Sequence, residues 1–321
     1  MPELADPRGK IARVFAGRGR GTTHPNPIVG CVLARDGETV GEGWHERAGE
    51  PHAEIVALAD AGERARGATA YVTMEPCAHH GRTPPCVDTL ISAGVTRVVA
   101  GCLDPHPDHG GGLERLRAAG VDVSVAEGEL GFESRAQNEA WRTWVSLGRP
   151  FVTLKFAATL DGRVAVPGER WVSGEVARRR VHELRAQVDA VAVGMGTVRA
   201  DDPQLTARDV DAIRQPRRIA FGRGPLPAGS ELELRSGALA EELRSLGDEG
   251  VQSLLLEGGP TIAASFLREN LVDRMLVFVA PTLAGAGPVL LEELSAPVSL
   301  ARLRAEPVGE DVLIAAYVHE P

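Results

Sequence analysis

His52, Cys77 and Cys86 are residues of the kinds that hold zinc. An imidazole and two thiolates fill three of zinc's four positions and leave the fourth for water, the layout of a catalytic rather than a closed structural site. Zinc draws the pKa of such a water down toward about 7, which makes a nucleophile available at neutral pH. Glu54 lies two residues after His52, too near to be an obvious fourth ligand, and can carry the proton. Both cysteines follow prolines, Pro76 and Pro85, at expected helix starts where the dipole favours thiolate. Eight residues separate Cys77 from Cys86, so Cys86 can ligate only if CAHHGRTPPC folds back, which Gly81, Pro84 and Pro85 permit. The other two cysteines, Cys31 and Cys102, sit in apolar runs and read as buried small hydrophobes.

The elements around these residues alternate strand and helix. A helix is expected over 3–16, a strand over 28–34, a turn at Asp36-Gly37 and a second strand over TVGEGWH. A helix opened by Pro51 follows, then strands ATAYVT, TRVVAGC and VDVSV with helical stretches around VDTLISAG and GLERLRAAG. The helix NEAWRTWVSLGRP stops at Gly148 and Pro150, which sets domains of 1–148 and 149–321. Beyond it come a strand from Pro150, the helix GEVARRRVHELRAQ, the strand DAVAVG, a loop TVRADDPQLT and the strand RRIAF. The helix GALAEELRSLGDEG, the strand VQSLLLE, a Gly258-Gly259 turn into a helix from Thr261, and two final strands, DRMLVFVA and DVLIAAYV, complete a second α/β half. No complete G-x-G-x-x-G is present, which disfavours a Rossmann domain, but the Gly258-Gly259 turn offers backbone N–H groups to a phosphate.

Composition narrows the function classes. Hydrophobic residues make up 43% and charged residues 25% of the 321, which excludes a disordered chain, and no run reaches the roughly 18 apolar residues of a membrane span. The N-terminal stretch carries two acids and no sustained apolar core, so no secretory signal and a cytoplasmic location are expected. The net charge of −9 is shared by both halves, which argues against a nucleic-acid partner. Lysine is confined to Lys10 and Lys155 in an otherwise arginine-based chain.

His-x-Glu followed by Pro-Cys is the signature of zinc deaminases, with the glutamate as general acid and base. THPNPIVGCV, GEGWHERAGEPHAE and TMEPCAHHGRTPPC together resemble the deaminase half of the bifunctional bacterial riboflavin-biosynthesis deaminase-reductases. HHGRTPPC carries most of that resemblance, since it replaces the short C-x-x-C of other deaminases. The resemblance implies a cytidine-deaminase-like three-layer α/β domain, one zinc ion, and a diaminopyrimidinone ribosylamino 5′-phosphate that loses its exocyclic 2-amino group to water. Asn26 and His45 are then candidate pyrimidine contacts, against readings as a turn residue and a solvated loop histidine. His79, His80 and Arg82 are tethered between the presumed ligands, and Arg82 is a candidate substrate contact or a loop staple.

TLKFAATLDGRVA, WVSG, LRAQVDAVAVGMGTVRADDPQLTAR and LLLEGGPTIAASFL resemble, in order, the reductase half of the same family. This implies a dihydrofolate-reductase-like fold and hydride transfer from NADPH to C1′ of the ribosylamino sugar. The matching cofactor positions are Ala157, Trp171, Thr197, Asp201, Gly259, Pro260, Thr261, Ile262, Ala263 and Ala264. Those for substrate are Arg185, Leu205, Arg208 and Glu257, with the two arginines suited to a phosphate. Lys155 could stabilise charge on the opened sugar and Asp161 could orient it, against readings as a snorkelling lysine and a turn aspartate. Three departures stand out: Glu169 where the family usually has serine, no Asp-Ser after RIAF, and a stretch of 222–236 that reads as short by one strand-helix unit.

The resulting expectation is a bifunctional enzyme acting on a small pyrimidine ribosyl phosphate, forming a homo-oligomer through the reductase domain. Two alternatives remain at this point: a deaminase whose second half is a degenerate noncatalytic module, and a nucleic-acid deaminase with an accessory domain.

Overall fold

A computed structural model describes residues 7–79, 84–106 and 110–321. Arg82 and His80 lie outside the described residues. The chain divides into two compact units, Met1–Ser146 with Pro321, and Leu147–Glu320.

The first unit comprises α1 (Pro7–Gly17), β1 (Gly30–Arg35), β2 (Glu38–Trp44), α2 (Ala53–Ala61), β3 (Thr69–Val72), α3 (Cys86–Ser92), β4 (Arg97–Ala100), α4 (Gly112–Ala118), β5 (Asp122–Val125), α5 (Gly128–Gln137) and α6 (Glu139–Leu147). Its sheet runs β2-β1-β3-β4-β5, with β1 antiparallel to both neighbours and β3, β4 and β5 parallel. Asp36 and Gly37 both take positive φ, the conformation a tight two-residue hairpin requires. Alternation on β1 then divides the faces. Cys31 and Leu33 enter a core shared with α2, α3 and α4, while Gly30 faces α1, where an added Cβ would lie 2.0 Å from the Ala12 carbonyl. Helices on both faces make three layers.

The helix expected over 138–150 is the second of a pair. The chain breaks at Asn138, whose amide is committed elsewhere: Oδ1 accepts the Ile28 N–H at 2.9 Å and Nδ2 donates to the Ile28 carbonyl at 2.8 Å. Pro51 precedes rather than opens its helix, which begins at Ala53 with His52 as N-cap. Cys86 does start a helix, but Cys77 lies in an irregular segment.

The second unit comprises β6 (Phe151–Thr159), α7 (Glu175–Gln187), β7 (Ala190–Gly194), α8 (Met195–Asp201), β8 (Arg217–Phe221), β9 (Glu233–Arg235), α9 (Leu239–Asp248), β10 (Ser253–Leu256), α10 (Pro260–Arg268), β11 (Arg274–Ala280), β12 (Ala301–Val308) and β13 (Asp311–Tyr317). One eight-stranded sheet runs β12-β13-β11-β6-β10-β7-β8-β9, parallel from β11 to β9 and antiparallel where β13 joins its neighbours. One face packs on α9 and α10 through Leu154, Leu243 and Phe266; the other receives α7 through Val181 and Phe278. Arg149 enters the unit as half of a buried bidentate pair with Asp273, which also accepts the Val152 N–H at 2.7 Å and so fixes the start of β6.

Two expectations for this half change. The stretch after β7 is not all loop, since α8 occupies its first part. A strand, β12, stands between the two expected last ones. Near 222–236 the sheet carries one short strand, β9, and no helix.

Candidate active sites

In the first unit α2 is drawn onto β2 by Gly43, where an added Cβ would sit 2.5 Å from both the Ala53 carbonyl and the Ala57 nitrogen. That approach sets His52 at the helix start, and α3 brings Cys86 to it. His52 Nδ1 lies 3.3 Å from Cys86 Sγ and 3.6 Å from Cys77 Sγ, and the Cys86 N–H donates to Cys77 Sγ at 3.4 Å. The ligand atoms of all three lie within 4.8 Å of one another. Glu54, on the first turn of α2, is 3% exposed and opens on the same cavity of about 140 Å³.

The titration of this cluster tests whether a cation fits. Burial pushes the Glu54 carboxyl up to about 7. Hydrogen bonding with Cys86, then with His52, holds Cys77 down to about 4, while Cys77 and burial push Cys86 far up. The Cys77 contact raises the His52 pKa against its desolvation. Two sulfurs and a carboxylate thus compete for charge in a site too dry to hold three anions alone, and a dication bound between them removes the conflict. The donor set fits zinc.

The same cavity is lined by Asn26 and His45. His45 Nδ1 donates to the Pro51 carbonyl at 3.1 Å, so its Nε2 accepts from Asn26 Nδ2 at 3.2 Å. Burial lowers the His45 pKa, which favours that neutral form. The Asn26 amide is therefore oriented, its Nδ2 committed to His45 and its Oδ1 left to accept. Glu75, Asp104 and Trp141 also line the cavity. No spacing rule pointed to them; Glu75 accepts the Asp104 and Leu113 N–H groups at 3.2 and 3.0 Å and thereby ties a distant loop to the neighbourhood of Cys77.

In the second unit a cavity of about 610 Å³ opens at the carboxyl ends of β7, β8 and β10, where open α/β sheets bind ligands. It is lined by Thr197, Asp201, Gly259, Pro260, Thr261 and Ile262 among the expected cofactor residues. Ala263 and Ala264 are instead buried within α10, and Ala157 and the 55%-exposed Trp171 are not part of the lining. Gly258 lets Ile262 close on the strand end, since a Cβ there would lie 2.1 Å from the Ile262 Cγ2. No side chain caps α10 at Gly259, so its first N–H groups remain available to an anion. The shape and the uncapped turn fit a dinucleotide.

Lys155, Arg185 and Glu257 form one buried cluster. The β6–β10 register places Lys155 beside Glu257, and the ammonium lies 3.6 Å from its carboxylate. Arg185 Nε and Nη2 donate to Glu257 at 2.6 and 3.0 Å, and Nη1 donates to the Thr206 carbonyl at 3.1 Å. Burial raises the Glu257 pKa, but the two cations outweigh it and leave the carboxyl below its ordinary value. Arg185 is thus committed to Glu257 rather than free to clamp a phosphate. Arg208 remains exposed and donates to the Gln204 Oε1 at 2.9 Å.

The loop around Arg208 is held by residues that sequence reasoning missed. Gln215 pairs with both backbone groups of Ala207 at 2.9 Å, and the Arg208 N–H donates to His182 Nδ1 at 3.2 Å. Leu205 takes φ +54 and buries its side chain in the core. Asp161 is a staple: it accepts Thr159 Oγ1 and the Ala284 and Gly285 N–H groups at 2.6, 3.0 and 2.8 Å, and these bonds hold its carboxyl down at about 2.

Residues 150–314 match the RibD C-terminal domain family, and residues 10–102 the cytidine and deoxycytidylate deaminase zinc-binding region. The riboflavin biosynthesis protein RibD of Escherichia coli (strain K12) is 44% identical over 85% of this chain and 86% of its own length. That of Aquifex aeolicus (strain VF5) is 39% identical over 95% of this chain and 96% of its own. The latter alignment runs over 343 positions, more than the 321 residues here, so the relative carries stretches this chain lacks. The crystal structure of a diaminohydroxyphosphoribosylaminopyrimidine deaminase/5-amino-6-(5-phosphoribosylamino)uracil reductase from Thermotoga maritima is 33% identical, with a TM-score of 0.83 over 98% of this chain and 99% of that one. Neither a nucleic-acid deaminase nor a deaminase with a degenerate second half is favoured by relatives that match along both units. The chain belongs to the RibD family, the bifunctional deaminase-reductases of riboflavin biosynthesis.

Proposed function

We propose that residues 1–148 deaminate 2,5-diamino-6-ribosylamino-4(3H)-pyrimidinone 5′-phosphate and that residues 149–321 reduce the ribosyl group of the product to give 5-amino-6-(5-phosphoribitylamino)uracil. The reading is carried by one observation, the His52, Cys77 and Cys86 trio beside buried Glu54 in a cavity that also holds an oriented Asn26.

Zinc held by the trio supplies Lewis acidity that brings water to nucleophilic strength at neutral pH. Glu54, buried on the same cavity, takes a proton from the attacking water and returns it to the departing ammonia, as general acid-base exchange requires. Asn26 Oδ1 accepts from a ring N–H or amine, and His45 holds the amide in that orientation. Arg82 is assigned to the substrate as well.

NADPH supplies hydride to the second step. Thr197, Asp201 and the Gly259–Ile262 turn hold the cofactor, with Ala157, Trp171, Ala263 and Ala264 assigned to the same function through the family resemblance. Lys155 stabilises charge on the opened sugar, and Glu257 and Arg185 hold the lysine in place. Leu205 and Arg208 complete the substrate side. A homo-oligomer through this unit is proposed as well, since β12 is a sheet edge exposed along most of its length. No described helix is long and apolar enough to cross a membrane, and a cytoplasmic location is proposed.

Supplying the diaminopyrimidinone phosphate with and without NADPH tests both steps. Ammonia is expected in either case and the ribityl product only with NADPH. Ammonia release at the wild-type rate from Glu54→Gln would overturn the assignment.

A further inference from the structure

Arg199 is the one cation that lines the cavity at the ends of β7, β8 and β10 among the described residues. The arginines of β8 and β9 are neutralised: Arg217, Arg218 and Arg235 each pair with a glutamate. Arg199 pairs with no carboxylate among the described residues; its Nη2 donates to the Arg223 carbonyl at 2.7 Å. That carbonyl belongs to the turn after β8, Gly222-Arg223-Gly224, where the family's Asp-Ser is absent. Gly222 and Gly224 take φ of +130 and +113, which only glycine adopts readily. A Cβ on Gly224 would lie 3.0 Å from Arg199 Nη2. The turn therefore both accepts from the guanidinium and leaves it room.

We infer that Arg199 binds the 2′-phosphate of the cofactor's adenosine and makes the second unit selective for NADPH over NADH. This rests on the reading of the cavity as the cofactor site. An unneutralised guanidinium at a ligand cavity suits a phosphomonoester, which its fork can engage bidentately. The geometry separates this subsite from the uncapped turn of α10. Gly259 follows β10, Arg199's carbonyl partner follows β8, and β7 lies between them. Two strand spacings put the anchors roughly 10 Å apart, a span one ribose phosphorylated at 5′ and 2′ can bridge. Asp201, the lone carboxylate of the lining, stands two residues on from Arg199 and so about 160° around α8, away from the proposed anion.

The test is fluorescence titration of the full chain with NADPH and NADH, with 2′,5′-ADP and 5′-ADP as competitors. The wild type is expected to favour the 2′-phosphorylated member of each pair. Arg199→Gln is expected to weaken NADPH and 2′,5′-ADP by roughly 10- to 100-fold while NADH and 5′-ADP stay within about twofold. Arg199→Lys, which keeps charge without the fork, is expected to fall between. Equal weakening of both members, as for an arginine that merely ties α8 to the turn, overturns the inference, as does no change. A wild type that binds NADPH and NADH equally overturns the inference alone; one that binds neither overturns the cofactor reading beneath it.

Discussion

The two units solve one problem, a buried glutamate beside the reacting groups, in opposite ways. At Glu54 burial outweighs the nearby His52 charge and, in zinc-free protein, drives the carboxyl up to about 7, within reach of proton exchange at neutral pH. Glu257 is also largely shielded from solvent, yet Lys155 and Arg185 hold its carboxyl below the ordinary value, as suits a fixed anion. The difference is one of role. A proton carrier must be able to change charge at working pH, whereas a residue that positions a lysine must not.

The comparison breaks first at Glu54. Glu54→Gln removes the proton carrier and keeps the shape, so ammonia release should fall by about 10²- to 10⁴-fold while NADPH titrates as before. An effect on both activities would mean that the units are not functionally separate. Zinc is the next lever. At a free concentration a thousand times its dissociation constant it should stabilise the first unit by about 4 kcal/mol, and chelation should lower only the corresponding thermal transition. Calorimetry with and without chelator separates this from a general loss of stability.

The sites differ just as much in how far the sequence exposes them. His52, Glu54, Cys77 and Cys86 announce their chemistry by type and spacing, because a metal needs few donors and those donors are rare residues. Lys155, Arg185 and Glu257 are common residues far apart in the chain, and only the β6–β10 register and the placement of α7 bring them together. The family resemblance pointed to these positions, but the pairing of Arg185 with Glu257 needed coordinates. Among the elements, β12 escaped notice because an edge strand exposed on both faces has no alternation to read. Helix α8 escaped because seven residues that include Gly196, Thr197 and Asp201 carry little helical signal. The break between α5 and α6 depends on Asn138 bonding to Ile28, a partner more than a hundred residues away.

Glu257→Gln sharpens the contrast from the other side. The two cations would be left with a neutral partner in a buried site, a change that costs about 3 kcal/mol when a buried pair is broken. Ribityl product formation should fall through kcat as Lys155 loses its fixed position, and ammonia release should be unchanged. Loss of both activities would assign Glu257 to folding alone.

The smallest effect is the dependence of stability on pH, and its sign should differ between the units. In zinc-free protein Glu54 has a folded pKa of about 7, above the ordinary 4.5, so the folded state binds the proton more tightly. Its favourable share is present below about 4.5 and is lost as pH rises toward 7. Glu257 has a folded pKa below its ordinary value, so its share is present above about 4.5 and is lost as pH falls through the folded pKa. Hydrogen exchange at β3 and at β10, followed from pH 4 to 8, should therefore show protection falling at the alkaline end in the first unit and at the acid end in the second. Glu54→Gln should flatten the first trend and Glu257→Gln the second. Trends of the same sign in both units would mean that Lys155 and Arg185 do not control the charge of Glu257, and the division between proton carrier and fixed anion would fail.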